Sequence, residues 1–294
     1  MTEQLINDIK TLPVEHVQEV IEFVQKLKKR EHIPREDKAW TNPEFPILEF
    51  DPDRNALIRP EMFKKPLDIS ERTVFCFFAD AIEKIITEFP HKIVTHIKGE
   101  GVNIPVYELD YKGQKINLVQ SIVGATWAAT HIEEMTAVGC KKYIACGGCG
   151  VLQKDIAIGQ LIIPVKAVRD EGTSYHYVAP SREIAMNEYP IQIIENVLNK
   201  QGVSFIKGKT WTTDGFFRET PAKITRRKQE GCIAVDMEAS AFIATAKYNN
   251  VEFGQIFYAG DNLDGNEWDE REWTNRVDIR EYVLKLALDI CLNM

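Results

Sequence analysis

The stretch YIACGGCGVL, residues 143 to 152, has two readings with different consequences for the fold. Cys146 and Cys149 have the C-x-x-C spacing of a redox dithiol or of half a zinc site. Gly147, Gly148 and Gly150 instead mark a glycine turn directly after an apolar strand, where a ligand can approach the backbone closely. A structural zinc site takes four ligands, usually two such pairs or one pair plus histidines. Here Cys76, Cys140, Cys232 and Cys291 are isolated and no H-x-x-x-H follows. A redox pair of this type opens a helix, whose N-terminus lowers the thiol pKa. The chain instead continues GVLQKDIAIGQLIIP, with little room for a long helix before the next strand. The cysteines therefore read as small buried apolar residues, no metal is expected, and the glycine turn is the reading carried forward.

Outward from this stretch, short apolar runs alternate with helical patterns. Strands are expected at TVFCFF (73–78), KKYIAC (141–146), QLIIPVKAV (160–168) and VEFGQIFYAG (251–260). A hairpin over residues 104 to 124 turns at Lys112-Gly113, and CIAVDM (232–237) is strand-like. Helices are expected at 80–89, at 126–139 with Gly139 as its stop, at 181–202 ending on Gly202, at 237–250, and at 274–293. TPAKITRRKQEG places Thr220 as a cap and Pro221 at the first helical position. This alternation predicts an α/β fold with a largely buried sheet and ligand sites where loops leave the strand ends. Residues 1 to 35 read as an N-terminal amphipathic helical segment, restarted at Pro13, that docks on the body or on a partner chain. Residues 36 to 72, rich in proline, read as an extended linker, and residues 73 to 294 as the α/β domain.

The chain has 294 residues and a formal net charge of −8. A mildly acidic surface argues against nucleic acid or an anionic membrane as the partner. No apolar run is long enough to span a bilayer, and MTEQLINDIK lacks the basic and apolar regions of a signal peptide. The expected compartment is the cytoplasm, with the six cysteines as thiols.

Five segments, in order, resemble the nucleoside phosphorylase superfamily of the uridine phosphorylase and hexameric purine nucleoside phosphorylase type, which also contains nucleosidases. They are SIVGATWAATHIEEMTAVG (121–139), YIACGGCGVLQKDIAIGQLIIPVKAVRDEGTSYHY (143–177), TTDGFFRET (212–220), AVDMEASAFIATA (234–246) and AGDNLDG (259–265). The resemblance covers roughly residues 73 to 290. It implies a three-layer α/β/α sandwich around a distorted mixed β-sheet, with the N-terminal helical segment added. It also implies cleavage of a nucleoside N-glycosidic bond through a ribosyl cation-like transition state, with phosphate or water as nucleophile. No cofactor is implied, phosphate being a co-substrate of a phosphorylase. The expected partners are a small-molecule nucleoside and further copies of the chain, as a dimer or trimer of dimers.

Such chemistry needs a fixed ribose, a proton for the departing base and a placed nucleophile. Glu238 is expected to accept from the ribose hydroxyls, with Met237 packing on the sugar face, Asp236 beside it, and His176 near the 5′ end. Asp261, just past a strand, matches the aspartate that donates to N7 of a leaving purine, and with Glu238 it forms the catalytic pair. Phe216 is expected to stack on the base, with Arg218 and Glu219 on its edge. For phosphate or its replacement, the candidates are the amides of Gly124, Gly147 and Gly148, together with Lys98 and Glu83. Two arginines of the family's phosphate site have no counterpart: Ala79 and Ala81 stand in place of the glycine and proline of a G-D-P-x-R turn, and Ala145 occupies an arginine position. Nucleosidases also lack these arginines and activate water with a glutamate, the role Glu83 would take. Phosphorolysis of a purine or broad-range nucleoside is the leading expectation. Hydrolysis and a non-catalytic nucleoside-binding regulatory protein are the alternatives.

Overall fold

The structure is a computed structural model that describes residues 41 to 294 except Pro43 and Asn266, together with Pro13, His16 and Val17. The amides of His16 and Val17 bond to the Pro13 carbonyl at 2.9 and 3.2 Å, one turn after the expected restart. The rest of the expected N-terminal helix lies outside the described residues. The chain divides into two compact units, Met1–Asp51 and Pro52–Met294. In the first, the Asn42 side chain accepts from the amides of Glu44 and Phe45 at 3.0 and 2.8 Å, ahead of a 3-10 turn at Pro46–Leu48.

The second unit carries the sheet. Its strands are β1 (Arg72–Cys76), β2 (His91–Gly99), β3 (Val102–Tyr111), β4 (Gln114–Gln120), β5 (Lys142–Val151), β6 (Leu161–Asp170), β7 (Glu183–Ala185), β8 (Phe205–Thr213), β9 (Cys232–Asp236) and β10 (Glu252–Asn262). Its helices are α1 (Ala79–Glu88), α2 (Ala125–Ala137), α3 (Glu188–Lys200), α4 (Pro221–Gln229), α5 (Ala239–Asn249) and α6 (Val277–Leu292). The strand order β10-β6-β8-β9-β5-β1-β4-β3-β2, with β10 also paired to β5, closes five strands into a ring and leaves β1 to β4 as an open wing. β5 runs parallel to β1 and β10 but antiparallel to β9. This is the distorted mixed sheet that the resemblance implied.

Helices cover both faces. α2 and α5 pack over a core that includes Phe75, Tyr143, Phe242 and Phe253. Phe75 lies 5.5 Å from Tyr143 and 5.6 Å from Phe242, and Phe242 lies 4.8 Å from Phe253, ring centre to ring centre. This stack fixes the start of α5, and truncating a ring of this kind costs about 3–5 kcal/mol. The residues of α5 from 239 to 246 are buried and mostly small, which lets the helix lie close against the sheet. α1, α3 and α6 cover the opposite face.

The opening stretch corrects the sequence reading. It is not a strand followed by a turn, because β5 runs unbroken through Gly147, Gly148 and Gly150. None of the three has a positive φ. They are small because neighbours are close: a Cβ on Gly147 would stand 3.0 Å from the Phe77 ring, and one on Gly150 would stand 2.6 Å from Leu263. All six cysteines are buried free thiols. Burial pushes the Cys146 and Cys149 thiols well above their usual range, which disfavours the thiolate that redox or zinc chemistry uses. Residues 183 to 185, expected to be helical, pair instead with β6. β1 stops at Cys76, two residues short of the expected end. The hairpin turns at Lys112 (φ +54) and Gly113 (φ +75) as expected, and Thr220 accepts the Lys223 amide at the start of α4.

Candidate active site

Where β9 gives way to α5, Asp236 organises the turn. Its Oδ2 accepts from the amides of Glu238 and Ala239 at 2.8 and 2.6 Å, and its Oδ1 accepts from the hydroxyls of Thr210 and Thr212 at 2.8 and 3.0 Å. Four donors occupy the roughly four lone-pair sites of a carboxylate. Asp236, expected beside the ribose, directs its side chain to the start of α5 and to Thr210 and Thr212.

Glu238 is buried at the N-cap of α5. Its Oε1 accepts the Gly124 amide at 2.7 Å. Gly124 caps α2 at φ +115, a conformation that favours glycine. The Gly124 amide is thus held by a carboxylate and is not offered to phosphate. Burial, first, and the charge of Asp236, next, raise the pKa of Glu238; the Gly124 amide opposes them, and Asp214 adds to the rise. Burial also raises Asp236, against its hydrogen bonds. Met237, between the two, is half-buried.

Asp261 owes its aim to an irregularity in β10. Ala259 pairs with Cys149 and Asn262 with Val151, so β10 spends one more residue than β5 over this interval. A bulge of this kind re-aims a side chain at a strand end. Asp261 Oδ1 lies 3.4 Å from the position of a Cβ on Gly150, and Oδ2 accepts the Trp268 indole N–H at 2.7 Å. Burial raises the Asp261 pKa, opposed by the indole. Glu219 is pushed to about 7 by burial and by the charge of Asp261, against Lys223. The two carboxylates are thus electrostatic neighbours, although 42 positions apart in sequence.

The remaining expected residues are scattered over other elements. Phe216 and Arg218 lie in a 3-10 turn, both exposed, with the Phe216 ring tilted 36° against Phe217 at 3.8 Å between centres. His176 is exposed at the end of the 3-10 helix Thr173–His176, whose Thr173 hydroxyl lies 3.2 Å from that of Thr126 in the first turn of α2. Gly147 and Gly148 pair with Phe257 and Tyr258 of β10. On the other flank of β5, β1 pairs only up to Cys146 and β9 only from Gly150, which leaves residues 147 to 149 without a strand neighbour there. Lys98 is exposed on the edge strand β2. Glu83 is exposed on α1, whose buried face is Ala81, Ile82 and Ile85.

Two carboxylates escaped the sequence reading. Buried Glu171 accepts from the Ser240 hydroxyl at 2.8 Å and the Ser174 amide at 2.9 Å, tying α5 to the 3-10 helix. Asp214 accepts the Gly172 amide at 2.8 Å. Both sit inside segments that carry the resemblance, but only the fold reveals their partners.

Carboxylates gather at the ends of β9 and β10, with buried Glu238 at a helix cap and half-buried Asp261 on a bulge. The chain belongs to the phosphorylase superfamily, whose family model matches residues 72–289. It is 23% identical over 158 residues to the guanosine phosphorylase of Halorubrum lacusprofundi, covering 54% of this chain and 66% of that one. It is 38% identical over 108 residues to the uridine phosphorylase of Thermococcus kodakarensis, covering 36% of this chain and 39% of that one. Among solved structures it resembles uridine phosphorylase from Vibrio fischeri, with a TM-score of 0.64 and 21% identity over 77% of this chain and 94% of that one. It also resembles AMP nucleosidase from Bacteroides thetaiotaomicron, with a TM-score of 0.62 and 20% identity over 78% and 90%. No helix among the described residues is long and apolar enough to cross a membrane.

Proposed function

We propose that the chain cleaves the N-glycosidic bond of a purine nucleoside, with Glu238 fixing the ribose and Asp261 protonating the departing base. The observation that carries this reading is the pair of raised acids, Asp261 and Glu219, at the bulged end of β10. Burial raises the Asp261 pKa, and a carboxyl that holds its proton can act as a general acid, which contributes about 10²–10⁴-fold. Phe216, Arg218 and Glu219 would border the base, Met237 the sugar, and His176 the 5′ end.

The nucleophile this site favours is water. Residues 73 to 83, 121 to 140 and 143 to 153 contain neither lysine nor arginine, and Arg280 of α6, which reaches Phe78, is paired with Asp80 at 3.5 Å. Phosphate recognition relies on charge-assisted forks that neutral amides replace poorly, and the Gly124 amide is already held by Glu238. We infer hydrolysis as the first reading, with Glu83 as the base that activates water. Phosphorolysis is the second reading, supported by the phosphorylases among the relatives. In that case Lys98 of a neighbouring copy would supply the missing charge within a homo-oligomer.

The test is incubation with a panel of purine and pyrimidine nucleosides, followed by separation of the free bases. Release of purine by the wild type and not by Asp261→Asn is the expected result. A wild type inert toward the whole panel would favour a nucleoside-binding regulatory role instead.

A further inference from the structure

Trp268 is 62% exposed, so burial of its ring does not fix its position. It is placed by backbone. The Asn262 amide donates to the Asp269 carbonyl at 2.8 Å and the Asp269 amide donates back at 3.1 Å, which returns the chain to the end of β10. Asp264 anchors the intervening arm by accepting the Lys154 amide at 3.0 Å and by pairing with Lys228. The result is an exposed indole whose N–H ends 2.7 Å from Asp261 Oδ2.

We propose that Trp268 is a positioning residue that commits Oδ2 of Asp261 and leaves Oδ1, over Gly150, as the oxygen that carries the proton to the leaving base. This rests on the nucleoside-cleavage reading above. The indole N–H donates and never accepts, so it bonds an unprotonated oxygen and disfavours a proton at Oδ2. Burial favours protonation of the carboxyl as a whole, which directs the proton to Oδ1. The other groups facing Asp261 are Arg271 and Asp269 on the following segment and the buried Cys149 thiol on β5. Arg271 favours the carboxylate and Asp269 opposes it. During cleavage the Oδ1 proton passes to a base nitrogen as the C1′–N bond breaks and its electron pair leaves with the base. The carboxylate left behind keeps the indole bond, which stabilises it.

Two measurements test this. In protein labelled with ¹⁵N at its indoles, the Nε1 resonance of Trp268, assigned by its loss in Trp268→Phe, should titrate with Asp261 and stay flat in Asp261→Asn. In nucleoside cleavage, Trp268→Phe should move the alkaline limb of the pH profile upward by about one unit and lower kcat more than it changes KM. A flat wild-type resonance, or a variant whose rate falls with the limb unmoved, overturns the proposal. A titrating resonance in a chain that cleaves no nucleoside overturns the cleavage reading and the assignment of Oδ1 to a base, while leaving the Asp261–Trp268 bond established.

Discussion

The mouth above β5 has two unlike halves. On the side of β9 and β10, the acids Asp236, Glu238, Asp261 and Glu219 are fixed by a helix cap, a strand bulge and short hydrogen bonds. On the side of β1, the strand ends at Cys76, the chain passes Phe77 and Phe78, and the cation at the α1 cap is Arg280 of α6, 5.5 Å from the Phe78 ring and 3.5 Å from Asp80. The first half carries what departure of a base requires. In the second half the arginine at the α1 cap, Arg280, is already engaged by Asp80. A fold can thus keep the half that breaks a bond while changing the half that chooses the nucleophile, because the two are built by different strands.

The contrast can be broken most strongly at Asp261. Asp261→Asn, nearly equal in volume, should lower kcat by about 10²–10⁴ with little change in melting temperature, as measured by steady-state release of the base. Glu238→Gln should follow with a loss in kcat/KM of about 10–10², since a hydrogen bond to a charged group contributes roughly 1.5–3 kcal/mol. Its Gln side chain can still accept from Gly124, so folding should survive.

Glycine substitutions along β5 separate the halves by packing. A Cβ on Gly150 would stand 2.6 Å from Leu263, 2.9 Å from Val235 and 3.4 Å from Asp261, so Gly150→Ala should cost about 1–3 kcal/mol and disturb the acid pair. On Gly148 the Cβ would meet the Tyr258 ring at 3.4 Å, an ordinary contact. Gly148→Ala should therefore change stability by less than about 0.5 kcal/mol. Thermal melts and turnover of the two variants check the difference. Equal losses would mean that β5 needs a bare backbone at Gly148 as much as at Gly150.

The smallest effect is the pH dependence of stability. Burial and Asp236 hold the folded pKa of Glu238 above its unfolded value of about 4.3. In that window the folded chain binds the proton that the unfolded chain has released. The stabilisation is therefore complete below about pH 4.3 and is lost as pH rises through the raised folded value. Asp261 and Glu219 act in the same direction. Denaturant unfolding should show the wild type losing stability from pH 5.5 to 8, with a shallower slope in Glu238→Gln.

Much of the fold was legible. Strands rich in branched and aromatic residues, the Lys112-Gly113 turn, the Thr220-Pro221 helix start and the stops at Gly139 and Gly202 each carry a local physical signal. What escaped was set by neighbours distant in sequence. β8 reads FIKGKTWTT, too polar for a buried strand until Thr210 and Thr212 are seen donating to Asp236. β2, HKIVTHIKG, is an edge strand with little apolar alternation. The glycines of β5 looked like a turn because local sequence cannot show Phe77, Tyr258 and Leu263 crowding them. The site followed the same rule. Glu238 and Asp261 could be picked from short segments, but the commitment of Asp236 to a helix cap, the pairing of Glu219 with Asp261 and the indole of Trp268 exist only once β8, β9 and β10 are assembled.

The fate of the sugar distinguishes water from phosphate as nucleophile. A purine nucleoside cleaved in ¹⁸O-labelled water with millimolar phosphate present should yield free ribose carrying one ¹⁸O at C1′, at a rate independent of phosphate. Ribose 1-phosphate without label, formed at a rate that rises with phosphate, would contradict hydrolysis.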